Sequence, residues 1–288
     1  MDARDEKIVF EDKLLKRDVC EILNDRPVAH FKTAAIDKLV GGVKPRLTII
    51  SAEPGAGKTT LTLQMADELA EQGIPVLFFT FEIKRPLLLA KSLSRMSGGT
   101  LPIAAIPQVT TESCAALKAA LDVYASKVAG NIAFIDKPCT PVEIAIMVGH
   151  VECELGIKPV VFLDYIQITK HAGERAIMDE RSAVKETVAG LRHVVNGHDV
   201  PLFAISSVNR STYKKDSAGL DSLAESSSLE YAADAVLFLA VKGKSDERTA
   251  NMRKEVRPVT LAALKNRYGT TGAVDLMFDT QFARFNEA

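Results

Sequence analysis

The sequence predicts an α/β fold built on a doubly wound, mostly parallel sheet that is extended by antiparallel C-terminal strands. Between Leu47 and Ser206, short apolar runs alternate with longer helical stretches, the trace left by parallel strands joined through crossover helices. The first of those runs passes directly into a glycine-bearing turn, IISAEPGAGKTT from Ile49 to Thr60, which then opens a helix. Beyond Ala233 the apolar runs sit close together, as antiparallel neighbours do.

In chain order, residues 1–29 come first: they are charge-rich and place Ile8, Leu15, Val19 and Ile22 at roughly helical spacing. They read as an amphipathic, linker-like helix ahead of a single domain over residues 30–288. The apolar stripe of that helix needs burial, either on its own domain or on a neighbouring subunit. Parallel strands are expected at Leu47–Ser51, Val76–Phe81, Ile132–Ile135, Val160–Leu163 and Leu202–Ser206. The helices between them are expected at Lys58–Gln72, Pro86–Met96, Ser113–Lys127, Pro141–Leu155 and Asp179–Asn196, with Gly73 and Gly197 as stops. Strands at Ala235–Val241, Val259–Leu264 and Ala273–Phe278 complete the sheet. No internal repeat or low-complexity tract interrupts the pattern.

The bulk numbers exclude several classes. With 288 residues, 47% of them hydrophobic and 25% charged, the chain has the composition of an ordinary soluble globular protein. A formal net charge of -1 argues against a surface coated with phosphate-binding groups, so any nucleic-acid contact comes from a local patch or from several subunits pooling one. Cys20, Cys114, Cys139 and Cys153 form no CxxC pair and have no histidine at ligand spacing, which indicates neither a zinc site nor a disulfide framework. The opening residues MDARDEK are charged with no apolar run behind them, and no stretch reaches the roughly 18 apolar residues of a membrane span. A cytoplasmic protein without membrane contact is expected.

The turn after the first strand is a P-loop. Its stretch Glu53, Pro54, Gly55, Ala56, Gly57, Lys58, Thr59 and Thr60 can aim backbone N–H groups and a helix N-terminus at a triphosphate such as ATP. Lys58 then reaches the β and γ oxygens, and the Thr59 hydroxyl ligates Mg²⁺. Ala52 stands where the strict pattern has its first glycine, and the position tolerates it if only a small side chain is needed. A second metal-side acid belongs at the end of a neighbouring strand, and VVFLDYIQI ends its apolar run on Asp164. In FFTFE, Glu82 closes the strand after the P-loop helix at the same edge of the sheet, where it can orient an attacking water. An exposed strand-end carboxylate without a role is the plainer account of Glu82, and a solvated strand edge is the plainer account of Lys265 and Arg267.

Six segments in this order, IISAEPGAGKTT, VLFFTFE, VVFLDYIQI, ISSVNRS, SLAESSSLEYAADAVLFL and LKNRYGTTGAVDLMFDTQFARF, resemble the C-terminal motor domain of DnaB-type replicative helicases. These are RecA-like ring helicases, and the likeness runs from near His30 to Phe285. The resemblance implies a RecA-like P-loop NTPase fold, ATP and Mg²⁺ as cofactors, and a homo-oligomeric ring, expected to be a hexamer, on single-stranded DNA. It also implies Lys58 and Thr59 as phosphate and Mg²⁺ residues, Glu82 as catalytic glutamate and Asp164 as metal-side aspartate. Lys265 and Arg267 match the family's basic pair that reaches the γ-phosphate of the neighbouring subunit, an arginine finger in trans. Arg210 matches a position that contacts DNA phosphate, and Lys214 and Lys215 follow it in a loop that a ring would repeat around a central channel.

The chain departs from the family at two places. Ser207 stands where the family carries a glutamine that senses the γ-phosphate. The block Ala224-Glu225-Ser226-Ser227-Ser228 replaces Arg-Glu-Ser-Gly-Ser, which removes a DNA-contacting arginine and a close-approach glycine while leaving Glu225 and Ser227 as the DNA-side residues. The family's separate N-terminal domain, which meets primase, has no counterpart ahead of the short charged helix, although a loader or primase is still an implied partner. Two functions fit these residues: a motor that translocates on DNA, and a nucleotide-switched binding protein of the same fold that acts on DNA or on another helicase without unwinding. A P-loop kinase or small-molecule transferase is disfavoured, because no acceptor-binding lid is evident.

Overall fold

The computed structural model describes residues 26–52, 54–166, 180–207 and 233–288. Its centre is a nine-stranded sheet in the order β3-β2-β4-β5-β1-β6-β7-β8-β9. Strands β1 (Leu47–Ala52), β2 (Val76–Thr80), β3 (Ile132–Ile135), β4 (Val160–Asp164), β5 (Leu202–Ser207) and β6 (Ala235–Val241) are parallel to one another. Strands β7 (Val256–Asn266), β8 (Gly272–Asp279) and β9 (Arg284–Glu287) continue it antiparallel.

Every residue of β1, β2 and β4 is buried, because helices cover both faces of the parallel half. Successive side chains alternate between two cores: Ile50, Phe78 and Phe162 face one, while Ile49, Phe79 and Leu163 face the other. The first core is closed by α2 (Lys58–Ala70), α3 (Arg85–Met96) and α4 (Ala115–Lys127). The second is closed by α5 (Pro141–Leu155) and α6 (Glu180–His198). A row of rings, Phe78–Phe162–Phe203, stacks across β2, β4 and β5 at centroid spacings of 5.9 and 5.1 Å and fixes their relative height. Thr140 and Glu143 cap α5 reciprocally, so its start falls where the sequence places it.

The observed elements match the sequence expectation in type and order, with three corrections. Gly197 does not stop its helix, since α6 runs on to His198 and the left-handed residue that ends it is Asp199 at φ 52°. Strand β7 is longer at both ends than Val259–Leu264. Four further elements appear: α1 (Ala34–Val40), a 3-10 helix (Ile103–Gln108), α7 (Ser245–Met252) and β9. The amphipathic helix expected over the first residues lies outside the described part up to residue 25. Val28 and Ala29 already belong to the domain, where Val28 N–H donates to the Val43 carbonyl at 2.8 Å and Ala29 bridges to Val43. Among the described residues no helix is long and apolar enough to cross a membrane.

Candidate nucleotide site and the opposite edge of the sheet

All the parallel strands end at one edge, and the candidate residues collect there. Ala52 pairs with Ser207 across β1 and β5, and Thr80 pairs with Asp164 across β2 and β4. Ala52 is fully buried inside the strand, so a methyl group is accommodated at the place of the first glycine. The chain then turns through Gly55 at φ 79° and Gly57 at φ 98°, both left-handed, before α2 begins at Lys58. A side chain on Gly57 would also stand 2.7 Å from Phe278 and 2.9 Å from Phe285, the ring pair stacked at 4.3 Å beneath the loop. On the outer side, Met252 of α7 covers Gly55, and Arg257 of β7 donates Nη1–H to the Gly55 carbonyl at 2.9 Å. The first helical bond, Leu61 N–H to the Gly57 carbonyl at 2.8 Å, leaves the amides of the opening turn without an intrahelical acceptor, which is the arrangement that binds anions. Glu53 lies outside the described residues.

Asp164 is the most unusual group at this edge. It is 1% exposed, and neither carboxylate oxygen has a hydrogen-bond partner among the described residues. Burial pushes its pKa up to about 6. The Thr59 hydroxyl beside it, short of good hydrogen-bond geometry, offsets part of that rise, Glu82 adds to it, and Lys58 and Lys91 oppose it. A buried acid with two unsatisfied oxygens next to a hydroxyl fits a hard divalent cation such as Mg²⁺. Among the described residues no group of three or more His, Cys, Asp or Glu is placed to hold a metal ion.

Glu82 follows β2 in a bend rather than ending the strand, and it is exposed. The bend is held on both sides: Phe81 N–H donates to the Asp164 carbonyl at 2.9 Å, and the Thr80 hydroxyl donates to the Ile83 carbonyl at 2.6 Å. Lys91 is a neighbour that the sequence did not single out. It reaches back from α3 to donate to the Thr60 hydroxyl at 3.0 Å, and burial lowers its pKa, with Asp164 opposing and Arg95 reinforcing that shift. The signal was available, because Lys91 falls three residues after Leu88 on the face of α3 that enters the core.

Lys265 and Arg267 are not at this edge. The register Val236↔Lys265 and Ile49↔Val236 sets Lys265 level with Ile49, the third residue of β1, and Arg267 N–H donates to the Asp234 carbonyl at 2.8 Å. Asp234 N–H donates in turn to the Leu47 carbonyl, so Arg267 lies level with the start of β1, about 16 Å from its end at 3.3 Å per residue, and Lys265 about 10 Å from it, whereas the P-loop follows that end. A register slip at Leu264, left between partners Val236 and Leu237, turns the last residues of β7 toward this lower edge. Lys265 Nζ donates to the Ala233 carbonyl at 2.8 Å, and Arg267 Nη1 meets Asp234 Oδ1 at 3.2 Å. Within one chain the pair cannot touch a phosphate held at the P-loop. The backbone of Ser207 closes β5 beside Ala52, whereas Arg210, Lys214, Lys215, Glu225, Ser227 and the Ala224 block lie outside the described residues.

Residues 30–287 match the family model described as the DnaB-like helicase C terminal domain. The chain belongs to that family. It is 28% identical over 259 residues to the replicative DNA helicase DnaB of Pasteurella multocida, covering 88% of this chain and 54% of that protein. It is 27% identical over 262 residues to the same helicase of Haemophilus influenzae, covering 87% and 53%. The chain thus spans about half the length of these relatives. A solved structure of a DnaB-like replicative helicase and its interactions with primase superposes with a TM-score of 0.80 at 21% identity, covering 99% of this chain and 68% of that one. The RecA-like DnaB fold expected from the sequence is the fold observed.

Proposed function

We infer that this chain is the motor domain of a DnaB-type ring helicase, which hydrolyses ATP at clefts between subunits and moves on single-stranded DNA during replication. The observation that carries this is Asp164: a buried carboxylate, unpartnered at both oxygens, beside Thr59 and in the field of Lys58 at the mouth of a P-loop. Residues 53–60 cradle the triphosphate, Lys58 draws charge from its β and γ oxygens, and Thr59 with Asp164 would hold Mg²⁺. The ion supplies charge neutralisation of the phosphates when bound. Glu82, exposed at the lip and next to Asp164, orients and deprotonates the attacking water. Ser207, at the end of the strand beside the loop, would stand in the place of the family's γ-phosphate-sensing glutamine. Arg267 and Lys265, which face away from their own P-loop, act on the triphosphate of the next subunit, so a ring of copies is required. Residues 28–288 form this motor, the residues before them would serve as a linker to it, and Arg210, Lys214, Lys215, Glu225 and Ser227 would belong to the DNA-facing loops.

Magnesium-dependent ATPase assays with and without single-stranded DNA, alongside mass measurement of the assembly, test this directly. A ring whose turnover rises with DNA and vanishes in Lys58→Ala is expected. ATP hydrolysis without strand separation on a forked duplex would instead favour a nucleotide-switched binding protein, a function that Ser207 and Ala224 motivate. A backbone-gripping ring should lose DNA affinity steeply with salt, with a log-log slope of about -0.7 per neutralised phosphate.

A further inference from the structure

We propose that Asp234 is the positioning residue for Arg267, holding its guanidinium at the lower edge of the sheet in the orientation that the neighbouring subunit's triphosphate meets. This rests on the trans role of Arg267 proposed above. Asp234 immediately precedes β6, and its side chain is 5% exposed, whereas that of Arg267 is 41% exposed. It grips Arg267 twice: the Asp234 carbonyl accepts the Arg267 backbone N–H at 2.8 Å, and Oδ1 accepts Nη1–H at 3.2 Å. Backbone and guanidinium are thus tied to one residue, which removes the rotamer freedom that a long side chain past a strand end would otherwise keep.

The carboxylate is itself immobilised. Its Oδ2 accepts the Leu47 N–H at 3.1 Å at the first residue of β1, and its Oδ1 is shared with Arg192 Nη2 of α6 at 3.3 Å. Two guanidiniums share this one carboxylate, which restrains Arg267 from the side of the sheet and leaves its side chain 41% exposed. Arg192 contributes by keeping Oδ1 centred between the two arginines.

The test separates a defect in what a subunit donates from a defect in its own P-loop. Asp234→Asn is expected to lower ATP turnover by about 10-fold to 100-fold, the scale of a misplaced catalytic group, while binding of a fluorescent ATP analogue changes by less than about twofold. Mixing this variant with Lys58→Ala, whose own loop is dead but whose Arg267 is intact, should recover turnover above simple dilution, as should mixing Arg267→Ala with Lys58→Ala. Because Asp234→Asn leaves two partly exposed guanidiniums facing each other without the carboxylate between them, Asp234→Asn/Arg192→Gln serves as the charge-balanced second variant, with the same kinetic defect and the same recovery expected from a folded ring. Turnover within about threefold of wild type in the second variant overturns the proposal, since a displaced group should cost more. So does a loss that Lys58→Ala cannot rescue while it does rescue Arg267→Ala. If neither is rescued, the trans role of Arg267 falls, and the positioning role falls with it.

Discussion

Two buried aspartates sit at opposite edges of one sheet, and they are treated in opposite ways. Asp164 closes β4 at the P-loop edge with both oxygens unpartnered among the described residues. Asp234 opens the approach to β6 at the lower edge and is surrounded by donors: a backbone amide and two guanidiniums. Leaving a buried carboxylate unsatisfied destabilises the chain, and the folded protein tolerates it where a ligand completes the site. Satisfying one fully stabilises local structure and gives a rigid mount. The upper edge is therefore built to receive, and the lower edge to present.

The largest expected effect lies at the lower edge. Arg267→Ala should reduce ATP turnover by about 10³-fold to 10⁵-fold while leaving ATP binding to the same chain intact, as read by steady-state kinetics and nucleotide titration. A decrease in binding of the same size would mean that Arg267 acts within its own chain and would dissolve the contrast between the edges.

Next comes the floor of the P-loop. Gly57→Ala imposes a side chain at φ 98° and drives a methyl group into Phe278 and Phe285. It should cost about 2–4 kcal/mol in chemical denaturation and abolish nucleotide binding. A variant that binds ATP normally would show that the aromatic pair can yield, and that the loop does not depend on its rigid support.

The smallest effects concern Asp164 alone. Its folded pKa, about 6, lies above the unfolded value near 3.8, so the folded chain holds the proton more tightly. Without a cation, stability is greatest below the unfolded pKa and declines as pH rises through that window, by on the order of 3 kcal/mol in total. Asp164→Asn should flatten that dependence and raise the melting temperature at pH 7 by about 2–6 °C. Below pH of about 6, proton competition should weaken Mg²⁺–nucleotide binding about tenfold per pH unit, measurable as a loss of ligand-induced thermal stabilisation. A flat profile would mean that Asp164 is not the acid that meets the cation.

The contrast was half visible in the sequence. The upper edge could be read because its parts are contiguous: a strand, a glycine turn and Lys58-Thr59 are neighbours in the chain, and Asp164 ends an apolar run. What arrives through space could not. Arg257 and Met252 reach the loop from elements nearly two hundred residues later, and α7 (SDERTANM) has no apolar stripe to announce a helix. Strand β9 shows only Phe285 to the core and otherwise reads as charged tail. Gly197 misled because a glycine stops a helix only when its backbone turns left-handed, and here Asp199 makes that turn. At the lower edge, Lys265 and Arg267 were marked by resemblance alone, and Asp234 by nothing, since a buried acid before an apolar strand declares its partners only in three dimensions.

Strand β7 ties the two edges together. Near its beginning Arg257 grasps the Gly55 carbonyl of its own cradle, and just past its end stands Arg267. The eleven-residue segment is thus a tie rod between the two edges of one chain, and if Arg267 acts in trans as proposed, its far tip would meet the next site along. In a closed circle of such rods, filling one site would tug on its neighbour, and the order of firing around the circle would be written into the span of a single strand.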